Sequence, residues 1–255
     1  MKLVPLKPIF NILIFGCSFL NAIAQKLPNV QTSSIRAPAN IKIDGKTTEW
    51  DNKFRAYNHA TDIFYTVSND DSKLYLTVQA VDKLVINKIM SGGITFTIQK
   101  SGKKTDKEGI SITYPLFDKS KKPFVPPATK ESQDESMMNS YNKSLDASKY
   151  IGVTGIKTLD SLITIYNTDG IRVAELFDNK MRYTYELAID LKLLRLQTND
   201  ARKFAYHISI NPFVPDLVAT AKPIPSGLGA TMMDDGMSGS GATTDMWGEY
   251  ILAKH

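Results

Sequence analysis

From residue 60 onward, apolar and polar side chains alternate in short runs, the period of a strand that turns one face inward and the other outward. In ITFTIQ, Ile94, Phe96 and Ile98 share one phase while Thr95, Thr97 and Gln99 share the other. KLYLTVQA places Leu74, Leu76, Val78 and Ala80 together, MRYTYELAI does so with Tyr183, Tyr185, Leu187 and Ile189, and KFAYHISI with Phe204, Tyr206, Ile208 and Ile210. GISITY and IRVAELF repeat the pattern. One apolar and one polar face per strand is what antiparallel sheets packed face to face require. The turn-forming stretches between these runs, SNDDSK, SGKKTDKEG and NTDG, suit hairpins and meanders. There is no internal repeat and no alternation of helix with strand, which argues against a doubly wound or barrel α/β fold. The expected fold class is therefore all-β, an antiparallel, jelly-roll-like β-sandwich.

Two insertions interrupt the alternation. In the first, about residues 115–149, Met137, Tyr141 and Leu145 recur at helical spacing, which predicts one short helix laid over the sandwich. The second, about residues 213–245, is rich in Gly, Pro, Ala and Met and carries the acid pair Asp234 and Asp235. A long loop of this kind is either a binding loop or a flexible excursion.

The N-terminus has a different character. Lys2 and Lys7 precede the apolar run IFNILIFGCSFL, which ends in NAIAQ with Ala22 and Ala24 at small-residue positions. This is the pattern of a secretory signal peptide over residues 1–24, cleaved before Gln25, leaving residues 25–255 as one domain. Export places the mature chain in the periplasm, at the cell surface or outside the cell. The lone cysteine, Cys17, lies within the leader, so the mature chain has no thiol for a disulfide, a zinc-thiolate site or a nucleophile. The rival reading, a lipoprotein anchored through Cys17, requires the bulky Phe15 in its cleavage box, and AIAQ fits better. Loss of Lys2 and Lys7 lowers the formal charge from +5 to +3, too modest to imply a nucleic-acid partner. The lysine clusters QKSGKKTDKEG and DKSKKP read as solvated loop tips.

Four segments carry a family resemblance. IKIDGKTTEWDN, SNDDSKLYLTVQAVD, YTYELAIDLKLL and TDMWGEYIL, in that order between Ile41 and Leu252, resemble the strands, turns and closing strand of the family 9 carbohydrate-binding module and its DOMON-like relatives. The resemblance implies an exported β-sandwich that binds glycans without catalysis. It does not supply a matched pair of sugar-clamping aromatic rings. Within IKIDGKTTEWDN, Ile41 and Ile43 are expected to form a strand, Asp44 and Gly45 a tight reversal, and Trp50 to bury its ring and pin the incoming chain across the core.

Catalytic chemistry has few candidates. His59, His207 and His255 are the only histidines, and no metal-binding histidine spacing occurs. His207 falls on the polar phase of its strand, as a surface or hydrogen-bonded residue. The pairs Asp70–Asp71 and Asp234–Asp235 could accept calcium, but short acids in turns more commonly bond the backbone. Tyr183 and Tyr185 are in phase with the core. For a ligand site, the expectation centres on the end of the sandwich where the long insertion meets the closing strand: Trp247, Asp245, Asp234 and Asp235. Trp247 itself either caps the core, the favoured reading, or forms a platform for a sugar. Two further readings stand beside glycan binding. One is an envelope interaction protein that keeps the fold without a sugar site. The weaker one is a haem b domain using Met232, Met233, Met237 or Met246 as a thioether ligand, against which the methionines read more simply as packing. No cofactor is expected.

Overall fold

The alternating runs pair as antiparallel strands. The structure is a computed structural model in which residues 26–117, 135–199, 201–212 and 242–254 are described. In chain order the strands are β1 (Ala56–Asn58), β2 (Ile63–Asn69), β3 (Lys73–Ala80), β4 (Ile94–Gln99), β5 (Ile110–Leu116), β6 (Tyr150–Thr154), β7 (Leu162–Thr164), β8 (Ile171–Phe177), β9 (Tyr183–Asp190), β10 (Phe204–Ile210) and β11 (Thr244–Tyr250). They form two sheets, β1-β2-β3-β9-β8 and β11-β10-β4-β5-β6-β7. The apolar phases meet between the sheets: Leu74, Leu76, Val78, Tyr183, Tyr185, Leu187 and Ile189 from the first face Ile94, Phe96, Tyr206 and Ile208 from the second, all at most 2% exposed. The fold is the all-β antiparallel sandwich that the alternation predicts.

Among the described residues two α-helices accompany the strands, where one helix was expected. α1 (Lys83–Gly92) joins β3 to β4 and turns Ile86, Ile89 and Met90 into the core. Asp82 begins it, its carboxylate accepting from the N–H groups of Leu84 (2.8 Å) and Val85 (3.1 Å), an N-cap arrangement. Gly93 ends it at φ +76°, and a Cβ there would sit 2.6 Å from the Pro115 carbonyl oxygen, so only glycine fits. α2 (Glu135–Leu145) is the helix expected from Met137, Tyr141 and Leu145. Among the described residues, no helix is long and apolar enough to cross a membrane.

Amide side chains cover backbone groups of the first sheet that no strand pairs. Asn142 of α2 accepts from the Phe177 N–H (2.7 Å) and donates to its carbonyl (2.9 Å), standing in for a further strand beside β8. Beyond the short β1, which pairs only Ile63–Tyr65 of β2, Gln31 makes the same two bonds to Val67 of β2, each 2.8 Å.

The opening segment differs from expectation. Ile41 and Ile43 belong to no ladder. The Asp44–Gly45 reversal forms as expected, with Gly45 at φ +78°, but it docks on the outside of the first sheet. The N–H groups of Asp44 (3.0 Å) and Gly45 (2.9 Å) both donate to Glu186 Oε2 on the outward phase of β9. A Cβ at Gly45 would lie 2.7 Å from Leu176 Cβ. Trp50 sits in a 3-10 turn, Thr48–Trp50, that contributes no core residue, so its expected pinning role is corrected. The segment runs over a sheet rather than entering between the two, and the Glu186 carboxylate does the pinning. Burial pushes the Glu186 carboxyl up to about 7, against the opposing pull of those two N–H groups.

Candidate functional site

β11 alternates like the other strands, and its phase decides the fate of Trp247. Met246 and Tyr250 are buried, whereas Asp245 and Glu249 are exposed and Trp247 is half-buried on the same outward side. Gly248 also faces inward, where the Tyr206 ring fills its side-chain space: a Cβ there would lie 2.1 Å from Tyr206 Cζ. The core-capping expectation for Trp247 is therefore corrected, because the strand's period gives that place to Met246. Met246 packs in the core and is no candidate axial ligand on the surface.

The outward residues of neighbouring strands line up with the indole. Trp247 is paired with His207, His207 with Thr97, Thr97 with Ser111, and Ser111 with Thr154, a row running straight across five strands. The Trp247 and His207 rings lie flat on each other, centroids 4.2 Å apart and planes at 5°. His207 Nδ1 is 2.8 Å from Asp106 Oδ1, and Nε2 is 3.4 Å from Asp245 Oδ1 and 3.3 Å from Ser209 Oγ. An ionised carboxylate only accepts, so the Nδ1–H donates to Asp106. When the ring is neutral, Nε2 accepts from Ser209; when it is protonated, Nε2 donates to Asp245 and the imidazolium lies over the indole face as a cation–π pair. In either state the indole rests on a ring that is itself held from below.

Beside Trp247 runs a groove of about 490 Å³ between β11 and the N-terminal segment Val30–Ser34, with Lys104 and Lys203 on its walls. Lys203 Nζ lies 2.8 Å from Glu249 Oε2. That hydrogen bond, aided by the nearby charge of Lys104, holds the Glu249 carboxyl below its usual range. The site thus combines an accessible aromatic face with cationic, anionic and hydroxyl groups.

Of the residues expected to form the site, Trp247 and Asp245 come together on the outer face of the second sheet. They do not sit at the end of the sandwich, because β11 begins at Thr244 and Trp247 is opposite the middle of β10. Asp234 and Asp235, with Met232, Met233 and Met237, lie outside the described residues, as do Cys17 and the leader. His207 is on the outer face and hydrogen-bonded, as its phase predicts. Asp106, Lys104 and Lys203 were missed, since nothing local in a lysine-rich turn says that it folds back over β10. A second exposed aromatic surface, Tyr150 and Tyr166 with Lys149 Nζ 5.7 Å over the Tyr166 ring, lies at the β6–β7 side of the same sheet and was missed too.

The calcium candidate Asp70–Asp71 is committed elsewhere. Asp70 Oδ1 accepts from the N–H groups of Ser72 (2.6 Å) and Lys73 (2.7 Å), and Oδ2 from the Tyr75 hydroxyl (2.6 Å). Burial raises this carboxyl, but those bonds outweigh it and hold it below the usual range. Asp71 pairs with Arg36 at 2.8 Å. Among the described residues, no group of three or more His, Cys, Asp or Glu side chains could hold a metal ion. In comparisons with models of known protein families and with curated proteins, nothing matches the chain.

Proposed function

We propose that the protein is an exported, non-catalytic binding module whose ligand is a glycan received on Trp247. The observation that carries this reading is the Trp247 indole, half-exposed on a polar sheet face and stacked flat on a hydrogen-bonded His207. Sugars present C–H faces that pack on aromatic rings, while their hydroxyls need nearby donors and acceptors. A ring already held in place gives up little freedom when a ligand arrives, which favours affinity. The resemblance to carbohydrate-binding modules supports the ligand class, and the signal-like leader supports action in the periplasm or at the cell surface.

Ser209, His207 and Asp106 do stand in the order of nucleophile, base and orienting acid. Two features favour the non-catalytic reading over acyl transfer. The Asp245 carboxylate also faces Nε2 and competes for it. In addition, β10 is an interior strand paired with both β4 and β11, so its N–H groups are committed to the ladders and cannot stabilise an oxyanion beside Ser209.

Affinity electrophoresis of the mature protein through gels containing a panel of polysaccharides tests the proposal. At least one polysaccharide should retard the wild type, and Trp247→Ala should migrate freely while keeping its urea midpoint. Free migration of the wild type in every gel would overturn glycan binding and leave the envelope-interaction reading in its place.

A further inference from the structure

The loop between β4 and β5, residues 100–109, lies between two grooves. On one side is the Trp247 groove, to which the loop contributes Lys104. On the other is a groove of about 910 Å³ across the end of the sandwich, lined by Lys73, Lys100, Lys192 and Arg195 among others. The two are close. Gln99, Ala205 and Glu249 stand side by side on β4, β10 and β11, so Lys100, the next residue after Gln99, is two strand spacings, roughly 10 Å, from the Lys203–Glu249 pair.

The acids in these grooves are already matched. Asp71 pairs with Arg36. Asp190 takes both Lys73 and Lys192, and Glu249 takes Lys203. Lys100 donates to the main-chain carbonyl of Arg195, a neutral acceptor. Among the described residues no carboxylate forms an ion pair with Lys100, Lys104 or Arg195. Three cations that form no ion pair with a described carboxylate, Lys104 sharing only the longer-range field of Glu249, therefore follow one another from the aromatic shelf around to the end of the sandwich. A neutral sugar has no use for them, whereas a chain bearing periodic negative charges does.

We infer that the glycan is acidic, a polysaccharide carrying carboxylate, sulfate or phosphate groups, with one sugar stacked on Trp247 and its charges lying along Lys104, Lys100 and Arg195. This rests on the glycan reading of the Trp247 site. The ionic part of binding is exposed, so it is screened by salt, while the stacking part is not.

Calorimetric titration of the mature protein with polygalacturonate, dextran sulfate, neutral dextran, a neutral β-glucan and polyglutamate tests the inference. At least one acidic polysaccharide should bind about tenfold or more tighter than the neutral ones at low salt, and should weaken about tenfold between about 0.05 and about 0.5 M salt. The triple variant Lys100→Ser, Lys104→Ser, Arg195→Ser should lose most of that salt dependence, and Lys104→Glu alone should weaken binding in the same direction if the triple variant fails to fold. Trp247→Ala should remove binding to the acidic polysaccharide. Equal, salt-independent binding of neutral and acidic glycans overturns the acidic ligand and leaves the glycan site standing. No binding to any polymer overturns both. Binding to polyglutamate as tight as to the acidic glycans, unchanged in Trp247→Ala, shows charge attraction without a sugar site and overturns the inference.

Discussion

The two sheets carry the same alternation of apolar and polar residues, but the polar phase is covered across the first and left open along one side of the second. In the first sheet that phase is dry: Thr66, Thr77, Gln79, Thr184 and Glu186 are at most 4% exposed. Residues 44–55 lie across it. The Arg55 N–H donates to Thr66 Oγ1 at 3.1 Å, the Asp44–Gly45 turn holds Glu186, and Gly45 abuts Leu176. In the second sheet the loop after β4 shelters His207 and Thr97, but the β11 side stays open, with Asp245 and Glu249 exposed and Trp247 half-exposed. A polar phase therefore says only that a face is not core. A covered polar face must satisfy its groups internally, whereas an open one can offer them to a ligand.

Lifting the cover should break this contrast most severely. Gly45→Ala forces a Cβ to 2.7 Å from Leu176 Cβ at a φ of +78°, where side chains are strained. A loss of about 3 kcal/mol in urea unfolding is expected. A loss below about 1 kcal/mol would show that the turn is not what holds the cover.

Glu186 tests the same contact through pH. Its folded-state value of about 7 lies above the usual glutamate value of about 4.3, so the folded protein binds the extra proton between the two. Its stabilising contribution is complete below about pH 4 and is lost as pH rises toward about 7, by up to about 3 kcal/mol. Glu186→Gln keeps an acceptor for both N–H groups and should flatten that part of the stability–pH curve. A slope from Glu175 should remain, since burial also raises that carboxyl, between the hydroxyls of Tyr183 (2.6 Å) and Tyr114 (3.0 Å). An unchanged curve in Glu186→Gln would count against the buried carboxylate.

The edge of the covered sheet gives a smaller effect. Asn142→Ala strips the Phe177 N–H and carbonyl of their partners and should cost about 1–2 kcal/mol by the same unfolding measurement. The smallest stability change belongs to the open sheet. Trp247→Ala removes one half-exposed stack and should stay within about 1 kcal/mol, although it is expected to abolish binding. A loss as large as that of Gly45→Ala would mean that the indole is structural.

Much of this architecture was legible in the alternation. All six of the alternating runs singled out above are strands, and the spacing of Met137, Tyr141 and Leu145 marks α2. α1 was not read, although Asp82 and Gly93 bracket it with ordinary cap chemistry, because its apolar residues follow directly on the β3 run. β6 and β7, which follow the first insertion, were hidden by their brevity. At the site, the outward phase of His207 and the acid and indole of β11 were visible, but the stack was not. It depends on β10 and β11 pairing with His207 opposite Trp247 although more than thirty residues separate the two strands, and register between distant strands leaves no local trace.

The sandwich follows from the chain's alternation alone, because a period of two forces each strand to present one apolar face and two such sheets hide those faces against each other. That alternation did not place Trp247, whose favoured reading was a cap on the core. Folding in three dimensions set which polar face the opening segment wraps, that Trp247 faces outward, and that Lys104 stands beside it. Those outcomes depend on backbone hydrogen bonds and close contacts between residues far apart in the chain, such as Gly45 with Glu186 and Asp106 with His207, and no local pattern encodes them.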